Sequence, residues 1–309
     1  MSTVSLAEKL GIDIPKEIVI EAGNGGVFVP PINESYKFRK ELVRVMYGFF
    51  GSGDTSLTLM GLQGSGKSSL PREWHARLGY PLLEVTCNAR TEMSDLVGMY
   101  KPDEKGGLSF HEGPLLVAAR SGISLLLDEY NTVDPGVAAG MHPWIEGTGM
   151  YIPELKEFVR PAKGFRCFMT ANPADASRGF MGRVEQDAAL EDRSWSVWVD
   201  YPNAEDEIAI VAKVFTDSGE SQESANTVAG KMVEMATKLR KQFAEGALQL
   251  AMSTRGLCRW ATCACVFSNA TGDTTPLAYG LELAYTNKLP DEQKAAVKEL
   301  AFQMFGGKK

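Results

Sequence analysis

Short apolar runs alternate with longer stretches of helical period through the first two thirds of the chain. The runs fall at 57–60, 81–85, 123–127, 165–169 and 195–199. Each has the length of a strand rather than a helix. Over 34–50 the apolar residues Phe38, Leu42, Val45, Met46 and Phe49 recur at helical spacing, and Gly51-Ser52-Gly53-Asp54 ends that helix. Strands alternating with helices predict an α/β fold: a five-stranded parallel sheet covered on both faces, with ligands at the carboxyl ends of its strands. Beyond Pro202 the strand signal disappears. Helical patterns follow at 205–215, 221–243, 254–267, 276–285 and 291–305, punctuated by Gly272-Asp273-Thr274-Thr275-Pro276 and Leu289-Pro290. The expected organisation is an N-terminal extension over 1–33, an α/β core over 34–202 and an α-helical domain over 203–309. Within 1–33, Gly23-Asn24-Gly25-Gly26 and Pro30-Pro31 break any regular element, leaving a short extended piece at 18–20.

The most specific chemistry stands directly after the first apolar run. Gly61-Leu62-Gln63-Gly64-Ser65-Gly66-Lys67-Ser68 is a complete G-x-x-x-x-G-K-[ST] phosphate loop, and the helical pattern beginning at Ser69 follows it. Gly61, Gly64 and Gly66 let consecutive backbone N–H groups, including those of Ser65 and Ser69, turn toward an anion at the positive end of the next helix. Lys67 supplies a point charge to the β- and γ-phosphates, and Ser68 a hydroxyl to Mg²⁺. The ligand expected is a nucleoside triphosphate with Mg²⁺.

Two later strands complete that expectation. Ile123-Ser124-Leu125-Leu126-Leu127-Asp128-Glu129 is an apolar run ending in two carboxylates: Asp128 for the metal, with Ser68, and Glu129 to polarise the attacking water. Thr170-Ala171-Asn172-Pro173 ends another strand with a neutral amide, able to hydrogen-bond a γ-phosphate or the lytic water without adding charge.

At 309 residues and 44% hydrophobic, the chain can bury one large core and a smaller one. Its net charge of −7 gives no broad footprint for a phosphate backbone. Arg90, Lys101 and Lys105 are interleaved with Asp95, Asp103 and Glu104, which argues against a nucleic-acid motor. No stretch approaches the ~18 apolar residues of a membrane span, and no leader pattern opens the chain, so a cytoplasmic protein is expected. Cys87, Cys167, Cys258, Cys263 and Cys265 form an odd set without a C-x-x-C pair and read as buried reduced thiols. His75, His111 and His142 share no ligand spacing, and no zinc site is assigned.

These motifs, in this order, resemble the AAA+ ATPases, more narrowly the MoxR group, and within it the CobS-like ATPase subunits of aerobic cobaltochelatases. The likeness runs from about Ile32 to Phe305 and includes Leu125-Leu126-Leu127-Asp128-Glu129-Tyr130-Asn131, Gly164 through Pro173, Ala189-Leu190-Glu191-Asp192-Arg193 and Met252-Ser253-Thr254-Arg255. The resemblance implies a Walker A pair in Lys67 and Ser68, a Walker B pair in Asp128 and Glu129, and a sensor 1 in Asn172. It implies an arginine finger acting on the neighbouring subunit in Arg193, and a sensor 2 in Arg255 of the helical lid. Ser194 stands between Arg193 and the aromatic Trp195, a departure from the family pattern that leaves Arg178 and Arg183 as reserve fingers. Segments near 98–113 and 150–161 resemble the two hairpin insertions of the MoxR group. The implied function is a ring, hexameric by resemblance, that couples ATP hydrolysis to remodelling or activation of a client protein. A separate protein with a von Willebrand factor A domain would bridge ring and client. The alternatives are a cobalt chelatase subunit, a nucleic-acid-associated NTPase and a nucleotide-gated scaffold.

Overall fold

The computed structural model describes residues 3–104, 106–173, 192–269 and 275–306. The chain divides into two compact units, one running to Val199 and a second from Asp200 onward that also takes in Leu62–Ser65. In chain order the first unit holds β1 (Thr3–Ser5), α1 (Leu6–Leu10), β2 (Val19–Glu21), α2 (Lys40–Ser52), β3 (Ser56–Met60), α3 (Ser69–Leu78), β4 (Leu82–Thr86), α4 (Met93–Val97), β5 (Gly98–Pro102) and β6 (Leu108–Glu112). It continues with α5 (Pro114–Ser121), β7 (Ser124–Asp128), α6 (Pro135–Gly140), α7 (His142–Ile145), β8 (Met150–Ile152), β9 (Glu157–Val159), β10 (Arg166–Ala171) and β11 (Trp195–Trp198).

The core is the expected five-stranded parallel sheet, in the spatial order β11-β3-β10-β7-β4. Because side chains alternate across a strand, neighbouring apolar residues serve opposite faces. Leu125, Leu127, Cys167 and Met169 pack with Leu115, Leu116 and Trp144, whereas Leu126 and Phe168 pack with Leu57, Leu59, Phe49 and Trp74. This two-sided burial is why the strands read as continuous apolar runs, and each fully buried Leu or Phe contributes about 1.5–3 kcal/mol. Two buried hydroxyls break the run in β3. Ser56 Oγ donates to Arg193 O at 3.2 Å and Thr58 Oγ1 lies 2.9 Å from Ser194 Oγ, so both serve to seat the chain entering the edge strand β11.

Two sequence expectations need correction. The first helix begins at Lys40 rather than near Glu34. Asn33 Oδ1 accepts from Ser35 N at 3.0 Å and Asn33 O from Tyr36 N at 3.0 Å, a side-chain-closed turn that diverts the backbone from the helix until Arg39. The N-terminal segment is likewise more than an extension. β1 and β2 pair antiparallel, and Leu6 and Leu10 of α1 are buried in the cluster formed by α2, α3 and β3. Gly23 N also donates to Leu78 O at 2.8 Å, binding the segment to the end of α3.

Antiparallel hairpins occupy both segments that resembled insertions, β5 with β6 and β8 with β9. Tyr100 of the first donates its hydroxyl to Glu154 O of the second at 2.7 Å, and Arg120 of α5 bonds Glu112 at 3.0 Å and both carboxylate oxygens of Glu157.

The second unit is helical: α8 (Ala204–Asp217), α9 (Gln222–Ala244), α10 (Thr254–Val266), α11 (Pro276–Ala284) and α12 (Asp291–Phe305). Asn203, Ser221, Ser253 and Thr275 each cap a helix by accepting a backbone N–H of its first turn. Inside it, the buried Glu207 accepts from Arg240 at 2.7 and 2.8 Å and from Thr254 Oγ1 at 2.5 Å, a charge compensated on both oxygens. No helix among the described residues is long and apolar enough to cross a membrane.

Candidate nucleotide site

The site lies at the carboxyl ends of β3, β10 and β7, three neighbouring strands, so residues far apart in sequence arrive within hydrogen-bond reach. Gly61 N donates to Ala171 O at 3.2 Å, carrying the β3–β10 pairing one residue past the strand. The chain then turns through Gly64 and Gly66, at φ of 72° and 99°, left-handed backbone that a side chain would strain. Ser65 N closes the turn on Leu62 O at 3.3 Å, and Leu70 N bonds Gly66 O at 3.0 Å as α3 begins from Ser69.

Lys67 is buried at this junction, with 7% of its surface exposed. Its ammonium donates to Gly61 O at 2.9 Å and to Asn172 Oδ1 at 2.8 Å. These two acceptors are neutral oxygens, which orient the ammonium. Asn172 is itself held, its carbonyl accepting from Asn131 Nδ2 at 2.7 Å.

Asp128 is the hub of the adjoining carboxylate pair. Its Oδ1 accepts from Ser68 Oγ at 2.6 Å and from Thr170 Oγ1 at 2.5 Å, its carbonyl accepts from Cys87 N at 2.8 Å, and its Oδ2 lies 3.7 Å from Arg72 Nη2. Burial, with the neighbouring Asp128, pushes the Cys87 thiol up to about 12, so it is neutral beside the site. Cys87 and Cys167 are buried as expected, but Cys258, Cys263 and Cys265 are only half-buried on one helix, off the core face formed by Leu257, Trp260, Ala261 and Ala264 at helical spacing.

Glu129 is one of two described residues other than glycine with positive φ, at 57°. That left-handed geometry costs about 1–2 kcal/mol and persists only where its surroundings enforce it. Here Glu129 N donates to Thr170 Oγ1 at 2.9 Å and its carbonyl accepts Thr132 Oγ1 at 2.7 Å. The kink turns the half-exposed Glu129 off the strand beside Asp128.

Gly61, Gly66, Lys67, Ser68, Asp128, Glu129 and Asn172 are thus brought together. Arg193 is not. It precedes β11 and sits beside Ser56, at the amino-terminal end of β3, so the length of the strand, roughly 13 Å at 3.3 Å per residue, separates it from the loop. Its side chain pairs with Glu146. Arg255 lies in the second unit, exposed in the first turn of α10. Arg178 and Arg183 fall outside the described residues.

Residues 56–194 match the AAA domain (dynein-related subfamily), and residues 208–302 match the CbbQ/NirQ/NorQ C-terminal family. Protein CbbQ of Hydrogenophilus thermoluteolus is 31% identical over 64% of this chain and 70% of its own length. The chain belongs to the CbbQ/CobS-type AAA+ ATPases. Aerobic cobaltochelatase subunit CobS of Sinorhizobium sp is 28% identical over 99% of this chain and 91% of its own, and gas vesicle ATPase GvpN of Ancylobacter aquaticus 25% identical over 56% and 53%. Membership of this ATPase family implies nucleotide binding and ATP hydrolysis. Three polar residues in the AAA+ site escaped the sequence reading: Thr170, Asn131 and Arg72. The available signal was spacing, Thr170 two residues before Asn172 on a strand and Arg72 one helical turn after Ser68.

Proposed function

We propose that this AAA+ ATPase forms a homo-oligomeric, hexameric ring that hydrolyses ATP with Mg²⁺ and uses the cycle to remodel or activate a client protein. The observation that carries the reading is the bonded cluster Ser68–Asp128–Thr170–Glu129 beside Lys67–Asn172, which holds a fixed positive charge next to a carboxylate pair. Lys67 and the loop N–H groups of Gly64, Ser65, Gly66 and Ser69 bind the β- and γ-phosphates. The hydroxyl of Ser68 and the carboxylate of Asp128 are hard oxygen donors of the kind Mg²⁺ requires, and they already face each other at 2.6 Å. When bound there, Mg²⁺ supplies charge neutralisation on the β- and γ-oxygens. Glu129 accepts the proton of the attacking water, and Asn172 orients that water or the γ-phosphate.

Arg193 serves as the finger in the neighbouring subunit's site, and Arg255 as the lid arginine, since planar donors suit the spreading charge of the transferred phosphoryl group. Its place at the far end of β3 supports a role in trans, because its own loop is out of reach. A separate von Willebrand factor A domain protein bridges the ring to the client. A second reading is favoured by the likeness to CobS over 99% of this chain and 91% of that protein: the ring drives insertion of Co²⁺, as cargo, into a corrinoid.

Two measurements test the core of this reading. ATPase rate against protein concentration, with mass by light scattering in the same samples, is expected to rise steeply as rings assemble; full activity in a monomer excludes the shared site. Lys67→Ala is expected to lose ATP binding and Glu129→Gln to bind ATP and stall, both read by calorimetry beside turnover. Normal turnover in Glu129→Gln assigns the base elsewhere.

A further inference from the structure

Asp128 meets α3 twice. Ser68 and Arg72 are four residues apart, hence one above the other on the same helix face. The hydroxyl of Ser68 donates to Oδ1 of Asp128, and the guanidinium of Arg72 faces Oδ2, with Nη2 3.7 Å away. That separation is an ion pair without a hydrogen bond. The guanidinium is kept at this distance by a stronger claim: its Nε lies 2.9 Å from both oxygens of Glu84. Strand register explains the placement. Glu84 stands opposite Leu126 and Thr86 opposite Asp128, so Glu84 and Asp128 share one face of the β4–β7 pair and Arg72 reaches across both.

From this geometry we infer that Arg72 is a positioning residue that competes for the second oxygen of Asp128, and that the division of Arg72 between Glu84 and Asp128 sets the Mg²⁺ concentration at which nucleotide binds. The inference rests on the nucleotide site proposed above. A fixed cation beside a metal-binding carboxylate opposes a divalent ion there by like-charge repulsion. Glu84 moderates that opposition by drawing the guanidinium away. Arg72 and Glu84 are each about one-third exposed, with side-chain exposures of 38% and 34%, so solvent limits the effect to about fivefold in a binding constant.

The two ends of the pair predict opposite signs. Arg72→Gln removes the competing cation, and the free Mg²⁺ needed for half-maximal binding of a non-hydrolysable ATP analogue is expected to fall about fivefold. Glu84→Gln releases Arg72 toward Asp128, and that concentration is expected to rise by a similar factor. Arg72→Lys keeps a charge and is expected to stay close to the wild type. The 309-residue chain is titrated by calorimetry at a series of buffered free Mg²⁺ concentrations, with EDTA as the zero point and thermal unfolding as the control for folding. A merely structural salt bridge would make both neutral variants move the same way, or neither, and either result overturns the inference, as does a rise with Arg72→Gln. Wild-type protein that binds no analogue, or binds it indifferently to Mg²⁺, overturns the site assignment and the inference together. Mg²⁺-dependent binding that both variants leave unmoved overturns the role of Arg72 alone.

Discussion

Thr170 carries more of the site than its size implies. Its hydroxyl donates to Asp128 and accepts from the backbone of Glu129, so one oxygen orients the Asp128 carboxylate and pins the left-handed kink that presents Glu129. Thr170→Val keeps the volume and removes both bonds. Hydrogen bonds to charged groups contribute about 1.5–3 kcal/mol, so ATP turnover is expected to fall at least tenfold while ATP binding is kept, and Thr170→Ser is expected to restore it. A strand hydroxyl of this kind is silent in a single sequence, because its partners come from β7 and nothing local announces the pairing. Lys67, Ser68, Asp128 and Glu129 were legible for the opposite reason: each lies within a contiguous motif whose chemistry is fixed by spacing. His75 makes a second residue-scale case. Burial depresses it to about 4, below its ordinary value of 6.5, with its ring packed on Phe168. A histidine held neutral in the folded state binds fewer protons than the unfolded chain between these values, so it leaves stability intact above 6.5 and removes it as pH falls toward 4, by about 3 kcal/mol in all. His75→Phe is expected to flatten that acid-side slope in denaturant midpoints measured from neutral pH downward.

The five strands were readable to within a residue or two because burial on both faces makes them uniformly apolar. α1 was not, since a five-residue helix is too short to show a period and its burial is tertiary. The consequence is mechanical: Leu6 is fully buried against elements that follow it by dozens of residues. Leu6→Ala is expected to lower the stability of the first unit by about 2–4 kcal/mol, read by chemical denaturation. A change confined to a few tenths would return residues 1–33 to the status of an appendage. The start of α2 was missed because Asn33 closes a local turn that competes with the helix, a contest that periodicity does not register.

For the whole molecule, the role proposed for Arg193 makes the assembly the unit of function. As the proposed finger, an arginine at the amino-terminal end of β3 would serve a site other than its own, and its bond to Glu146 would have to open for it to do so. Arg193→Ala and Glu129→Gln are each expected to bind ATP and fail to turn it over. Mixed, they are expected to recover activity, because Arg193→Ala subunits keep their own base and borrow a finger from a Glu129→Gln neighbour. No recovery on mixing assigns Arg193 to its own subunit's fold. The order of the strands bears on how such a subunit comes to exist. β3 has β10 and β11 for neighbours, and both are made long after it. A ribosome therefore releases the phosphate loop on a strand with no partner, and an apolar edge stays open until Arg166–Ala171 slides between β3 and β7. The candidate nucleotide pocket is among the last parts of its domain to be completed during synthesis, and nascent chains halted before Arg166 are expected to hold no ATP.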